Sequence, residues 1–544
     1  MRRTARPGGR WLLIAPGVFL GVMLVAPVLR LLHEGAAGEA SMRALAVWTD
    51  DYLRWRLLWS LLQAGITCLL ALALGLPLAW VLARWTFPGR GAVLRLLMLP
   101  FVVPTLVAAL GVLALWGPRG LLGAPLMAHG VDLSETPWLL LYGNLFFNLC
   151  LVVRAGVDAL EQTSALQVGA ARTLGATPWR VFWRIEWPAI RPWLMSSLCL
   201  VFLYCFSGFG LALVLGGQRW ATAEVEIYSL VAHELALADA SVLALWMLCL
   251  TAGVALAYAG IERRLAAPAR AWPVPRRRPR GARQWLALVV CLSVWLLVCA
   301  APLLAIAWRA LASLGSGGAG VLMEPDTWQA LGNTLRFTGL ALVLAMALGL
   351  CHALGVHALD RWRTRRGVSA AGRWALAWRT LEYLPFVVSP VMVAFGLLLL
   401  YPGWTASLAM LVGAYALLAY PFVARSVTAA LDALPASLAQ AAATLGASPV
   451  RVLWRVVLPL VRPALRRGMA FAAATALGEF AVSLFLSRPE WTTLTTLIYQ
   501  RLGRPGEANL DAALVLSCLL MVLALGAFSL IDGRASRAMG GSHA

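Results

Sequence analysis

Twelve apolar runs follow one another along this chain, each close to the roughly 20 residues that a helix needs to cross the hydrocarbon core of a bilayer. They lie near residues 11–32, 57–83, 93–116, 138–157, 193–217 and 240–261, then near 285–310, 331–358, 376–401, 405–424, 468–487 and 510–531. None shows the two-residue alternation of a membrane barrel strand, so helices are predicted throughout. The composition agrees: of 544 residues, 61% are hydrophobic and 13% charged, too little charge to wet a soluble surface. That leaves no room for a large extramembrane catalytic domain. The opening run, Trp11 to Leu29 behind Met1 to Arg10, has the outline of a secretory signal. It is long enough to span and lacks a convincing small-residue cleavage site, so a retained first helix is expected.

Charge sets the orientation and removes several chemistries. Basic residues number 45 against 24 acidic ones, and every basic residue is arginine. A chain without lysine has no phosphate-binding loop of the G-x-x-x-x-G-K-[ST] kind and no Schiff-base lysine, so it is not expected to hydrolyse ATP itself. The arginines sit in short stretches between apolar runs, a pattern of membrane topology rather than of nucleic-acid binding. With the N-terminus inside, 34 arginines fall in cytoplasmic stretches and 11 outside, which places both termini in the cytoplasm.

The segment 262–284 carries Pro268, Pro273, Pro275, Arg276, Arg277, Arg278 and Pro279 and cannot span. It reads as a cytoplasmic linker between a first half, 1–261, and a second half, 285–544, each with six helices. Its arginines admit contact with anionic lipid headgroups, although a linker whose charge blocks translocation is the simpler reading. Nine cysteines lie within apolar runs without a Cys-x-x-Cys pair, and the histidines show no metal-ligand spacing, so no metal and no cofactor is implied.

An internal repeat carries the strongest functional signal. Ala170-Ala171-Arg172-Thr173-Leu174-Gly175-Ala176-Thr177-Pro178-Trp179-Arg180 recurs 271 residues later as Ala441-Ala442-Ala443-Thr444-Leu445-Gly446-Ala447-Ser448-Pro449-Val450-Arg451. Over the 23 positions from Ala170 to Pro192, 14 are identical between the copies, whereas the flanking spans share little beyond hydrophobicity. Each copy predicts a short helix, a left-handed turn at Gly175 or Gly446, and a second short helix begun by Pro178 or Pro449. Such a knuckle is rigid, small-faced and basic, and suits the groove of another protein. The plainer alternative is an interfacial amphipathic helix duplicated with the rest of the fold. That alternative does not explain why glycine and proline are both kept.

These residues resemble the inner-loop signature of ATP-binding-cassette importer permeases: E-A-A, three residues, G, nine residues, I-x-L-P. The first copy runs Gly169-Ala170-Ala171, Gly175 and Ile185-Glu186-Trp187-Pro188; the second runs Gln440-Ala441-Ala442, Gly446 and Val456-Val457-Leu458-Pro459. Neither keeps the glutamate. The resemblance covers the whole chain as two fused permeases and implies an all-α, type I importer-like membrane fold in two homologous halves. It further implies that the inner loops 158–192 and 429–463 couple to a cytoplasmic ATPase homodimer, and that a periplasmic binding protein delivers a small-molecule solute across the bacterial inner membrane. Within that family, a fused two-half chain of this length resembles two importer groups above all, those for thiamine and those for ferric iron. Val47-Trp48-Thr49-Asp50-Asp51-Tyr52-Leu53, Asn144-Leu145-Phe146-Phe147-Asn148 and Glu224-Val225-Glu226-Ile227-Tyr228 are similar to the thiamine group.

The interval of 271 also relates Phe209 to Phe480, Thr222 to Thr493 and Ile227-Tyr228 to Ile498-Tyr499. Leu99-Pro100-Phe101-Val102-Val103-Pro104 returns as Leu384-Pro385-Phe386-Val387-Val388-Ser389-Pro390. Proline within a span frees backbone carbonyls, tolerated beside a cavity or a packed neighbour. Pro104 and Pro390, with Phe209 and Phe480, are therefore expected to border the pathway. Glu479 is the acid placed deepest within a span, and its partner position is Gly208. In a pathway it would favour a cationic solute; a structural pair with an arginine is the alternative. An ion-coupled secondary transporter also fits twelve spans in two halves but leaves the knuckles unexplained. A membrane enzyme lacks paired acids or a nucleophile with its base.

Overall fold

Backbone polar groups that leave water must bond within their own segment, and the aliphatic runs of this chain do so as helices. A computed structural model describes residues 9–36, 47–264, 274–315, 318–366, 369–404, 407–486 and 488–540. The linker prolines Pro268 and Pro273 lie outside the described residues. Among those described, nine helices are long and apolar enough to span, or eleven if two bent pairs each count as one. In chain order the spans are α1 (Trp11–Ala36), α2 (Asp51–Arg84), α3 (Arg90–Val102 bent onto Thr105–Trp116), α4 (Trp138–Glu161) and α5 (Trp187–Phe206). They continue as α6 (Leu237–Ile261), α7 (Ala282–Gly315), α8 (Pro325–Asp360), α9 (Leu376–Val387 bent onto Pro390–Leu400) and α10 (Leu408–Ala433). The last two are α11 (Leu458–Leu477) and α12 (Glu507–Ile531). Helix α11 completes the twelve as the counterpart of α5. Arg462, Arg466 and Arg467 in its first half keep it from matching the apolarity of the others.

Two expected spans are bent by proline. In α3 the two arms meet at 108°, and in α9 at 94°. The residue before a proline is pushed out of the helical region, and Val103 accordingly turns extended before Pro104 starts the second arm. In α9, Val388 is extended and the Ser389 hydroxyl accepts from the Met392 amide at 3.1 Å, capping the arm begun by Pro390. Two further runs, 193–217 and 468–487, are interrupted rather than continuous. The first breaks at 207–209 and the second at 478–480, after which Gly210–Leu215 and Ala481–Leu486 form short helices.

The helices assemble into two compact units, Gly35–Gly318 and Met1–Glu34 with Ala319–Ala544. Each unit therefore holds five spans of one half and the opening helix of the other: α7 packs with α2–α6, and α1 with α8–α12. The fit is the same in both. A Cβ on Gly111 would stand 2.9 Å from the Pro302 carbonyl oxygen, and one on Gly396 would stand 3.0 Å from that of Pro27. Only glycine allows the second arm of α3 or α9 to lie this close to the visiting helix. Each visiting helix also contains a π-helical turn, Leu296–Ala300 or Gly21–Val25. The turn frees a carbonyl for a tyrosine hydroxyl: Tyr142 donates to Leu297, and Tyr401 donates to Val22 at 3.2 Å.

Candidate functional site

The two repeats fold into knuckles with the same order of elements. In the first, the helix Ala165–Thr173 ends at a turn where Gly175 takes φ 80°, and Pro178–Val181 begins the next helix. In the second, Ala436–Thr444, Gly446 at φ 82° and Pro449–Val452 follow the same course. The left-handed glycine turns the chain so that the Ala176 amide donates to the Ala171 carbonyl at 3.0 Å, and Ala447 to Ala442 at 3.1 Å, which caps the outgoing carbonyls. Thr177 and Ser448 cap the second helices by accepting from the Arg180 and Arg451 amides at 3.4 Å. Nothing lies within 4 Å of a Cβ built on Gly175 or Gly446, so backbone conformation alone demands glycine there.

Every knuckle residue singled out from the sequence lies at or near the surface. Gly169, Ala170, Gln440 and Ala441 are exposed on the first helices, with Ala171 and Ala442 half-buried beside them. Pro178, Arg180, Pro449 and Arg451 are exposed beyond the turn, and Pro188 and Pro459 are exposed at the start of α5 and α11. One pair was missed. Leu174 and Leu445 stand at the tips with 87% and 88% of their surface exposed. A leucine identical in both copies, placed in a turn beside a glycine that both copies share, was the available signal.

The roots of the knuckles were also missed. Glu161, at the end of α4, pairs with Arg90 at 2.9 Å and with the linker residue Arg276 at 2.7 Å. Its counterpart at the interval of 271, Asp432 at the end of α10, receives two bonds from Arg379, at 2.7 and 3.0 Å, and Arg379 also reaches Asp360 at 2.7 Å. Past the first knuckle, a π-helical turn Phe182–Glu186 leads into α5, and Glu186 is buried against Arg84 of α2 at 2.5 Å. The Trp80 indole donates to the same carboxylate at 3.3 Å. The second knuckle has the same turn, Leu453–Val457, but Val457 fills that place with an apolar side chain.

At the interrupted runs, Phe209 and Phe480 are buried and contact Tyr228 and Tyr499, with ring centroids 5.5 and 5.3 Å apart. Thr222 and Thr493 stand at the N-cap positions of the helices that carry those tyrosines. Pro104 is buried and Pro390 half-buried at the two bends. Glu479 makes no ion pair among the described residues. Its carboxylate accepts from the Val482 amide at 3.0 Å, capping the short helix after the break, and its own carbonyl accepts from Thr495 at 3.0 Å and from Tyr415 at 3.4 Å. The other break is held differently: Gln63 donates to the Cys205 carbonyl at 2.8 Å and accepts from Asn144 at 2.7 Å. Asn144 and Tyr415 occupy matching places at the interval of 271.

A doubly repeated helical permease with one such loop per half defines a class, and the chain belongs to it: residues 75–267 and 369–534 match the family of binding-protein-dependent transport system inner membrane components. Over nearly its whole length it is similar to thiamine transport system permease proteins. It is 29% identical to that of Escherichia coli (strain K12) across 98% of this chain and 97% of the relative. It is 28% identical to that of Haemophilus influenzae across 94% and 95%. A sulfate transport system permease protein of Synechocystis is 32% identical across 38% of this chain and 76% of its own length.

Proposed function

We propose that this chain is the membrane-spanning subunit of an ATP-driven importer for thiamine or its phosphates, with both termini cytoplasmic. One observation carries the coupling role: two knuckles of identical backbone course, each with an exposed leucine at its tip and its root fastened by ion pairs. A loop that only lay on the membrane would need no left-handed glycine and no fixed root. Two exposed knuckles match two subunits of a separate cytoplasmic ATPase, which supplies the energy that this lysine-free chain does not. Each knuckle continues into α5 or α11 without a non-helical break, so a push on the tip turns the span behind it. The linker 262–284 is proposed to join the halves 1–261 and 285–544 in the cytoplasm.

The full-length similarity to thiamine permeases supports the cargo, delivered by a periplasmic binding protein. The breaks at 207–209 and 478–480, with Phe209 and Phe480, and the bends at Pro104 and Pro390 are proposed to border the path. Glu479 keeps a carboxylate at one break, in keeping with a cationic vitamin. The deciding experiment is uptake into sealed vesicles containing the chain, with ATPase and binding protein added or withheld. ATP-dependent accumulation of thiamine that needs both partners is expected. Accumulation driven by an ion gradient without an ATPase overturns the reading.

A further inference from the structure

A cavity of about 700 Å³ opens beside the first knuckle, inside the unit Gly35–Gly318. Its floor is apolar and belongs to two spans: Leu76, Pro77 and Val81 of α2, with Ala287 and Cys291 of α7. Indole rings of Trp80, Trp85 and Trp179 stand around it. Its rim is cationic, with Arg172 from the knuckle and Arg277, Arg278 and Arg280 from the linker. The single carboxylate in the lining, Glu186, is already matched by Arg84. Among the described residues the four rim arginines make no ion pair and are exposed.

The linker residues 276–280 are built into this place rather than draped past it. The Thr86 amide donates to the Arg277 carbonyl and the Arg277 amide to the Arg84 carbonyl, both at 3.0 Å. Arg276 is fastened to Glu161, and the Arg280 amide donates to the Gln284 side chain at 2.7 Å. A segment whose charge served only to block translocation would need no such fixed course.

We propose that this cavity seats an anionic phospholipid, its phosphate held by Arg277, Arg278, Arg280 and Arg172 and its acyl chains laid along the apolar floor of α2 and α7. The physical match has three parts. The floor is continuous with surfaces of two spanning helices, tryptophans mark the headgroup level, and clustered arginines at a span end attract anionic lipid. A free anion would use the rim and leave the floor in water. The seat joins the linker to the root of the first knuckle, so lipid would stiffen that lever.

The test is native mass spectrometry of the delipidated full chain titrated with phosphatidylglycerol or phosphatidylcholine. The wild-type chain is expected to retain one phosphatidylglycerol at a concentration at least about tenfold below that needed for phosphatidylcholine. R277Q/R278Q/R280Q is expected to lose that preference at unchanged melting temperature. Should the triple variant misfold, R278Q alone is expected to weaken retention about fivefold. No preference in the wild type, or a preference that survives the arginine changes, overturns the proposal. So does displacement of the lipid by equimolar inorganic phosphate, which would make the site an anion site only. Loss of ATPase copurification from lipid-free detergent in the triple variant, with lipid retention intact, would assign the surface to the protein partner instead.

Discussion

The two knuckles share a backbone and differ in what holds them. Their turns agree within 2° in φ at the central glycine, 80° against 82°, and both roots end in an acid paired with arginine. Behind the turn the first knuckle is tied to α2 by a buried ion pair, Arg84 with Glu186, whose side chains are each 8% exposed. The second places Val457 there; in its unit the root arginine Arg379 reaches on from Asp432 to Asp360, and a buried hydrogen bond joins Tyr420 and His352. The turn is thus set by local chemistry that tolerates little change, whereas its anchorage has several physical solutions. Duplicated halves can keep one and exchange the other.

The largest effect expected follows from that contrast. Removing one partner of a buried pair strands the other charge, at a cost of about 3–5 kcal/mol. Glu186→Ala should therefore lower the melting temperature of the purified chain far more than Val457→Ala, whose lost methyl groups cost about 2 kcal/mol. Replacing both charges, Arg84→Leu with Glu186→Val, converts the first anchorage to the kind found in the second and should recover most of the loss. Equal melting of Glu186→Ala and Val457→Ala would show that the anchorages do not differ as argued.

A smaller effect on folding and a large one on assembly are expected at the turns. Valine at Gly175 or Gly446 must adopt a left-handed backbone, at about 1–2 kcal/mol or more for a β-branched side chain. With open space around both positions, nothing but the turn is disturbed. Each substitution should leave the chain inserted and abolish copurification of the ATPase, to the same degree in both copies. An intact complex with either variant contradicts the docking role.

The comparison of sequence with structure separates along the same line. The turn was legible because Gly175, Pro178, Gly446 and Pro449 constrain backbone torsions wherever they occur. The spans were legible because hydropathy reports immersion in lipid. Hydropathy does not report which helix packs on which, so the reciprocal placement of α1 and α7 was hidden. It rests on Gly111 meeting Pro302 and Gly396 meeting Pro27, contacts between residues remote in the chain and spaced differently from the 271-residue repeat. Glu186 was hidden for a related reason. A carboxylate two residues from Arg184 looks like an interfacial charge until Arg84 is seen beside it. The breaks at 207–209 and 478–480 escaped because apolar residues continue on both sides and only the backbone departs from the helix.

At the tips, Leu174 and Leu445 touch too little of their own chain to matter to its folding. Burying a leucine in a partner's groove contributes about 1.5–3 kcal/mol. Leu174→Ser and Leu445→Ser should each weaken ATPase binding roughly tenfold or more, measured by titration of the solubilised complex, while the melting temperature stays unchanged. A variant that melts lower without losing affinity would move the leucine from the interface into the fold.

The smallest effect, and the finest test of the asymmetry between halves, concerns the two breaks. Glu479 caps the helix Ala481–Leu486, and the matching residue Gly208 has no side chain to do so. A Cβ at Gly208 would stand 2.9 Å from the Tyr204 carbonyl, so that break closes too tightly to admit a carboxylate. Losing an N-cap costs about 0.5–2 kcal/mol, which sets the expected destabilisation of Glu479→Ala. Glu479→Gln keeps an oxygen for the Val482 amide and should melt with the wild type. If the negative charge serves a cationic solute in transit, Glu479→Gln should nonetheless slow thiamine uptake by an assembled importer. Unchanged uptake by the glutamine variant, with reduced stability of the alanine variant, would leave Glu479 as a cap and nothing more.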